Sequence, residues 1–181
     1  MESFLKQFFQ IGQNLSQQRL FWMFLASSVL ALEIAALVFQ YGLGYEPCIK
    51  CIYQRLALWG VFVALLPACI FPQSKLVKSV SCLSAAFFAA WGAKIAIEHV
   101  GLQNAPNPLF AFCEMVPNFP EWFAPDIWFP ALFEPRGDCN AIDWTFLSLS
   151  MPQWMQVIFI GYAALAVVLF GLTLLKTRTT S

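Results

Sequence analysis

Four apolar runs, each long enough to cross a lipid bilayer, set the terms for this chain. They cover about residues 21–43, 52–71, 76–97 and 154–175. A spanning helix needs roughly 20 predominantly apolar residues. The bilayer interior offers no water to a free N–H or C=O, so each run must close its own backbone hydrogen bonds as an α-helix. The predicted fold is an all-α membrane protein, a four-transmembrane-helix bundle with one domain over residues 1–181. Only 11% of the residues are charged, less than half the roughly 25% of a soluble domain. Nineteen Phe and seven Trp suit aromatic belts at the two membrane faces. A net charge of zero argues against nucleic acid as a partner. Residues 1–19 are polar to amphipathic and read as a short interfacial helix. The first apolar run is too long for the core of a cleavable signal peptide.

Between the runs lie two loops on one side, about 44–51 and 98–153. The opposite side carries both termini and the Pro72 turn, with Lys6, Arg19, Lys75, Lys78, Lys176 and Arg178. The loop side carries Lys50 and Arg136 outright, with Arg55 and Lys94 near the membrane edge. Six basic residues against two place the termini in the cytoplasm. Cys48, Cys51, Cys113 and Cys139 then face the oxidising compartment, where disulfides persist. Cys69 and Cys82 fall near the reducing side and read as small apolar packing residues.

The first loop ends in Glu46-Pro47-Cys48-Ile49-Lys50-Cys51-Ile52-Tyr53-Gln54-Arg55. Pro47 cannot continue a preceding helix. Cys51 is expected in the first turn of the second span, where unpaired N–H groups and the positive dipole end favour a thiolate. Arg55, four residues on, shares its helical face at about 6 Å. A dithiol and a fixed cation at the lip of a bilayer point to redox chemistry with a lipid-soluble partner. A zinc half-site would ask for a second close cysteine pair, and the chain has none, with one histidine. An arginine at a helix end also has a purely structural use, snorkelling to the headgroups. Glu33, in the middle of the first span, must face the bundle interior. A structural bond to a neighbouring helix is the expected reading, and the sequence names no partner for it.

A loop of this length is usually functional. It carries Cys113 and Cys139, seven prolines from Pro106 to Pro135, and an aromatic stretch from Phe119 to Phe133. That stretch is too short to span and suits the headgroup plane.

These features together resemble the DsbB family of disulfide-bond formation proteins, quinone-linked membrane proteins of the bacterial inner membrane. The resemblance runs from about Phe21 to Gly171. It rests on Leu32-Glu33 and Phe39-Gln40, on Pro47 through Arg55, and on Glu98-His99. Phe119-Pro120-Glu121-Trp122, Gly137-Asp138-Cys139 and Met151-Pro152-Gln153-Trp154 complete it. It implies a multi-pass inner-membrane protein that reoxidises the periplasmic thiol oxidase DsbA and passes electrons to ubiquinone or menaquinone. It implies that Cys113 and Cys139 form the loop disulfide, with Cys113 pairing with the partner. Cys48 and Cys51 then take the electrons, with Cys51 meeting the quinone. Arg55 supports the quinone, and His99 and Met151 lie near its ring. No metal is implied. Gln54 departs from the glutamate some relatives carry there, which puts a proton-handling role at that position in doubt.

Rival readings are a paralogue serving a dedicated thioredoxin-like partner, a vitamin K epoxide reductase-like enzyme, and a non-enzymatic membrane protein with structural disulfides. In vitamin K epoxide reductases the Cys-x-x-Cys normally falls late in the chain, whereas here it ends the first third.

Overall fold

The structure is a computed structural model that describes residues 2–105, 113–114 and 116–174. Lys176 and Arg178 of the charge count, and Pro106 and Pro108 of the loop, lie outside the described residues. Helix α1 (Glu2–Ser16) precedes α2 (Arg19–Leu37), α3 (Ile49–Ile70) and α4 (Lys75–Gln103). Two single turns, α5 (Pro125–Trp128) and α6 (Pro130–Phe133), and a hairpin of β1 (Thr145–Phe146) with β2 (Leu149–Ser150) follow. Helix α7 (Met151–Leu174) closes the described chain. Four helices are long and apolar enough to cross a membrane, as expected: Arg19–Gly42, Ile49–Ile70, Lys75–Gln103 and Met151–Leu174.

Three boundaries differ from the expectation: α7 begins at Met151 rather than about residue 154, and the other two have clear physical reasons. The second span begins at Ile49 rather than about residue 52. Cys48, in extended conformation, accepts the Cys51 N–H at its sulfur and so caps the helix. The third span does not end at Glu98-His99 but runs to Gln103. Its 29 residues reach about 44 Å at 1.5 Å per residue, longer than a hydrocarbon core of roughly 30 Å. Its last turns therefore extend beyond the apolar stretch, carrying Glu98, His99 and Gln103 among the loops. At the other end Ser74 caps α4 by accepting the Val77 N–H at 3.4 Å.

Helix α4 packs most extensively on α7 and α3, and α3 on α2. Lipid tails are as apolar as leucine, so such contacts are held by close packing of small residues. Ala85, Ala89, Ala93 and Ala96 are buried along one stripe of α4, with Ala57 and Ala68 buried on α3. Gly92 takes the fully buried ring of Phe159 directly against its backbone, and a Cβ there would run into that ring. Cys69 and Cys82 sit in this core with Trp22, Val61 and Leu169. Helix α1 lies against α7 and α2, and the Trp22 indole donates to Ser16 O at 2.9 Å, fixing the turn between α1 and α2.

The first span ends in a π-helical turn, Val38–Gly42. Such turns shift helical register and recur at functional sites. Here the turn carries Phe39 and Gln40 toward the interior. The long loop, read from the sequence as a non-spanning segment, has structure of its own. It contains the short turns and the hairpin, whose tip residues Leu147 and Ser148 both have positive φ. That is the backbone of a two-residue hairpin turn that ordinarily asks for Asn-Gly. Tyr41 donates to Ala131 O at 2.6 Å, Tyr53 accepts the Asn118 N–H at 2.8 Å, and Trp154 donates to Phe146 O at 3.0 Å. These bonds lay the loop across the helix ends. Trp122, Ile127, Trp128 and Phe129 point outward from it and are exposed.

Candidate functional site

Pro47 ends the first loop, and its carbonyl accepts two hydrogen bonds from the far end of the long loop. Arg136 N donates at 2.9 Å and Gly137 N at 3.1 Å. This approach requires glycine at 137, because a Cβ there would run into the Glu46 carbonyl. Two residues on, Cys139 is fully buried against Cys48 and Ile49, with Cys51, Tyr53, Leu102 and Cys113 packed around them. The disulfide expected from the family resemblance is present between Cys113 and Cys139, with Cα atoms 6.0 Å apart. Cys48 and Cys51 are thiols whose sulfurs lie 2.9 Å apart. Hydrogen bonding to Cys51 and burial together push the Cys48 thiol well above its ordinary range.

His99 stands between the two cysteine pairs. The Gln54 amide donates to its Nδ1 at 3.3 Å, so the ring hydrogen is on Nε2. That Nε2–H points at Cys139 O, 3.2 Å away, and at Cys48 Sγ, 3.6 Å away. The Cys48 and Cys139 sulfurs and the imidazole nitrogen all lie within 4.8 Å of one another. Gln54, noted in the sequence only as a departure from some relatives, is the residue that sets this tautomer.

Below Cys51 lies a cavity of about 130 Å³. Leu32, Ala36 and Phe39 line it from the first span, Leu58 from α3, and Met151, Pro152 and Met155 from α7. Cys48, Cys51, His99 and Arg55 are also part of its wall, with Glu33, Gln54 and loop residues including Asp138 and Trp144 among the others. Of the seven residues singled out in the sequence, Cys48, Cys51, Arg55, His99 and Met151 share this cavity. Cys139 backs Cys48, and Cys113 is held to it by the disulfide. The cavity forms where α2 and α7 make little backbone contact with one another.

Arg55 is 6% exposed and reaches three separate elements. Its Nη1 donates to Gln40 Oε1 of the π turn at 3.0 Å and to the Leu132 carbonyl of α6. Its Nε lies 3.7 Å from Glu33 Oε2 on α2. Glu33 thus has the neighbouring-helix partner the sequence could not name, as an ion pair. Neither Glu33 oxygen has a hydrogen-bond partner among the described residues, and the carboxylate borders the cavity. Sequence reasoning missed Gln40 and the Leu132 carbonyl as partners of this arginine. The π turn and the loop path that bring them there leave no local signal.

A bulkier residue at 137 should lift the loop from the dithiol. Gly137→Ala is expected to cost about 1–3 kcal/mol of local closure by overpacking. The rate at which a small alkylating reagent modifies the Cys48 thiol of the folded protein should then rise on the order of tenfold, measured by mass spectrometry. An unchanged rate would show that the contact at Pro47 does not protect that sulfur.

Comparison with known proteins agrees with this geometry. The family profile described as "Disulfide bond formation protein DsbB" matches residues 18–169. A disulfide bond formation protein B from Pseudoalteromonas atlantica is 43% identical over 165 residues, covering 91% of this chain and 96% of that protein. One from Psychromonas ingrahamii is 41% identical over 168 residues, covering 93% and 90%. One from Haemophilus influenzae is 40% identical over 178 residues, covering 98% and 96%. Four membrane-crossing helices, a cysteine pair capping one of them, a second pair folded back upon it and a match along nearly the whole chain lead to one conclusion: the chain belongs to the DsbB family of disulfide-forming membrane proteins.

Proposed function

We propose that this protein is a protein thiol–quinone oxidoreductase that reoxidises a DsbA-like periplasmic thiol oxidase and delivers the electrons to membrane quinone. The observation that carries the reading is the stacking of two redox cysteine pairs over an apolar cavity walled by a fixed guanidinium. Cys139 Sγ lies within 4.8 Å of Cys48 Sγ, and Cys51 opens onto the cavity beside Arg55.

The exchange follows from thiolate attack through mixed disulfides. A partner thiolate attacks Cys113, the Cys113–Cys139 bond breaks, and Cys139 leaves as thiolate. The partner's second thiol displaces Cys113, so the partner leaves oxidised and the loop pair is reduced by two electrons. Cys139 then attacks Cys48 of an oxidised Cys48–Cys51 pair, and Cys51 leaves as thiolate. Cys113 resolves the Cys48–Cys139 bond, which restores the loop disulfide. The His99 Nε2–H faces Cys48 Sγ at 3.6 Å and steadies negative charge there as bonds change. Remaking the Cys48–Cys51 disulfide releases two electrons and two protons at the cavity.

The size and lining of this cavity support a quinone ring as its occupant. Its volume of about 130 Å³ is close to the roughly 150 Å³ of an apolar cavity that takes benzene. Its wall is mostly apolar, and Arg55 places a guanidinium at one side for a carbonyl oxygen. When bound, the quinone supplies the two-electron acceptor. Arg55 would hold the ring's polar edge, and His99 and Met151 would line the site around it. The excess of basic residues on the side of the termini supports cytoplasmic termini and periplasmic cysteines.

Purified protein should consume quinone when offered a reduced thioredoxin-like dithiol, and inert material would end this reading. Cys139→Ser should trap the partner as a mixed disulfide through Cys113; trapping through Cys48 would reverse the assignment. Arg55→Ala should raise the apparent KM for a short-chain quinone about tenfold or more, the loss of a charge-assisted hydrogen bond of about 1.5–3 kcal/mol. An unchanged KM would remove the arginine from the quinone site. A thiol reagent confined to the outside of intact cells should miss Cys69 and Cys82, and labelling of both would invert the topology.

A further inference from the structure

The loop disulfide withholds one sulfur from a set of donors that otherwise matches a soft-metal site. We propose that, when Cys113–Cys139 is reduced, Cys48, Cys51, Cys139 and His99 bind one thiophilic divalent cation, zinc or cadmium, and that the ion locks the protein in its reduced state. This goes beyond thiol–quinone exchange and stands on the geometry alone.

The distances carry it. Tetrahedral zinc, with Zn–S of about 2.3 Å and Zn–N of about 2.0–2.1 Å, sets sulfur–nitrogen edges near 3.5 Å and sulfur–sulfur edges near 3.8 Å. Cys48 Sγ already lies 3.6 Å from His99 Nε2. Cys51 Sγ, 2.9 Å from Cys48 Sγ, stands outside the trio whose donor atoms lie within 4.8 Å of one another, and must swing toward the ion to take the fourth position. Cys139 Sγ stands within 4.8 Å of both the Cys48 sulfur and the imidazole nitrogen, so it needs to close by at most about 1 Å on the sulfur and about 1.3 Å on the nitrogen. Cys48 and Cys51 come from the start of α3 and His99 from α4, two packed helices. The loop bonds at Pro47 hold Cys139 in place.

The surroundings suit the ion. Cys48, His99 and Cys139 are each at most 3% exposed, so water is largely excluded. Three thiolates and a neutral imidazole around a divalent cation leave one net negative charge. The Arg55 charge acts on Cys51 and the Lys50 charge on His99, and each cation is also paired with a carboxylate, Glu33 and Glu98. Sulfur-rich donors select zinc-like ions over magnesium or calcium. Ligation at Nε2 moves the ring hydrogen to Nδ1, and the Gln54 amide need only turn end for end to accept it, as outer partners of metal-bound histidines do. Binding releases one proton for each thiol that ionises. No electron moves, and the Cys48–Cys51 disulfide cannot re-form while both sulfurs are ligands. In the oxidised loop Cys139 is bonded to Cys113 and supplies no thiolate.

The test uses the full chain in detergent, reduced and freed of reductant under anaerobic conditions, and titrated with cobalt(II) and then zinc(II). The expected result is one cobalt per chain, with thiolate charge-transfer and tetrahedral d–d absorption bands that one equivalent of zinc abolishes. Cys113→Ser should bind with unchanged affinity. Cys139→Ser and His99→Ala should each bind at least about tenfold more weakly, since loss of even an outer partner costs roughly 10–100-fold. The Cys69→Ala/Cys82→Ala double variant should bind as the parent does. Absence of tetrahedral bands at stoichiometric metal, equal binding by Cys139→Ser and the parent, or loss of binding in the double variant would each overturn the proposal. Quinone consumption in metal-free buffer is a separate measurement, so the thiol–quinone reading stands or falls independently.

Discussion

A guanidinium buried at the edge of a bilayer holds this molecule's working end together. Taking a cation out of water costs several kcal/mol, and only good partners recover it. Arg55 finds them on three elements distant in sequence: Glu33 on α2, Gln40 on the π turn and the Leu132 carbonyl on α6. The charge that the proposed chemistry needs beside Cys51 therefore also draws the loop down onto the bundle. The buried carboxylate is less completely served, with one ion pair at 3.7 Å and no hydrogen bond among the described residues. That incompleteness falls on the wall of the cavity, where a polar ligand edge would find it.

The second constraint is steric. The loop can bring Cys139 against Cys48 only because Gly137 lets its backbone rest on Glu46 and Pro47. From there the disulfide, the imidazole and the dithiol form one contiguous set, with Gln54 fixing which ring nitrogen carries the hydrogen. A glutamine at that position orients the histidine and carries no charge of its own. The doubt about proton handling raised by this residue thus becomes a definite tautomer, with Nε2–H facing sulfur.

Much of this was legible from residue order. Span lengths, the amphipathic first helix and the inward-facing Glu33 all follow from local patterns that a lipid solvent enforces. The start of α3 was misplaced by three residues, because Cys48 is an uncommon helix cap and apolarity alone begins later. The end of α4 was placed too early because its last turns are polar and rise among the loops, where hydropathy no longer marks a helix. The hairpin at Leu147-Ser148 left no trace, since neither residue is the Asn or Gly that such a turn normally requires.

The sequence by itself determined a four-span helical membrane protein and the Cys-x-x-Cys to Arg55 spacing, because bilayer thickness and helical periodicity act over short stretches of chain. Only the tertiary structure decided that Glu33 meets Arg55, that Gln54 turns His99, and that Cys139 rests on Cys48. Those encounters depend on how each helix is rotated about its axis and on the path of one long loop. Both are settled by packing between residues far apart in the chain, which no local pattern encodes.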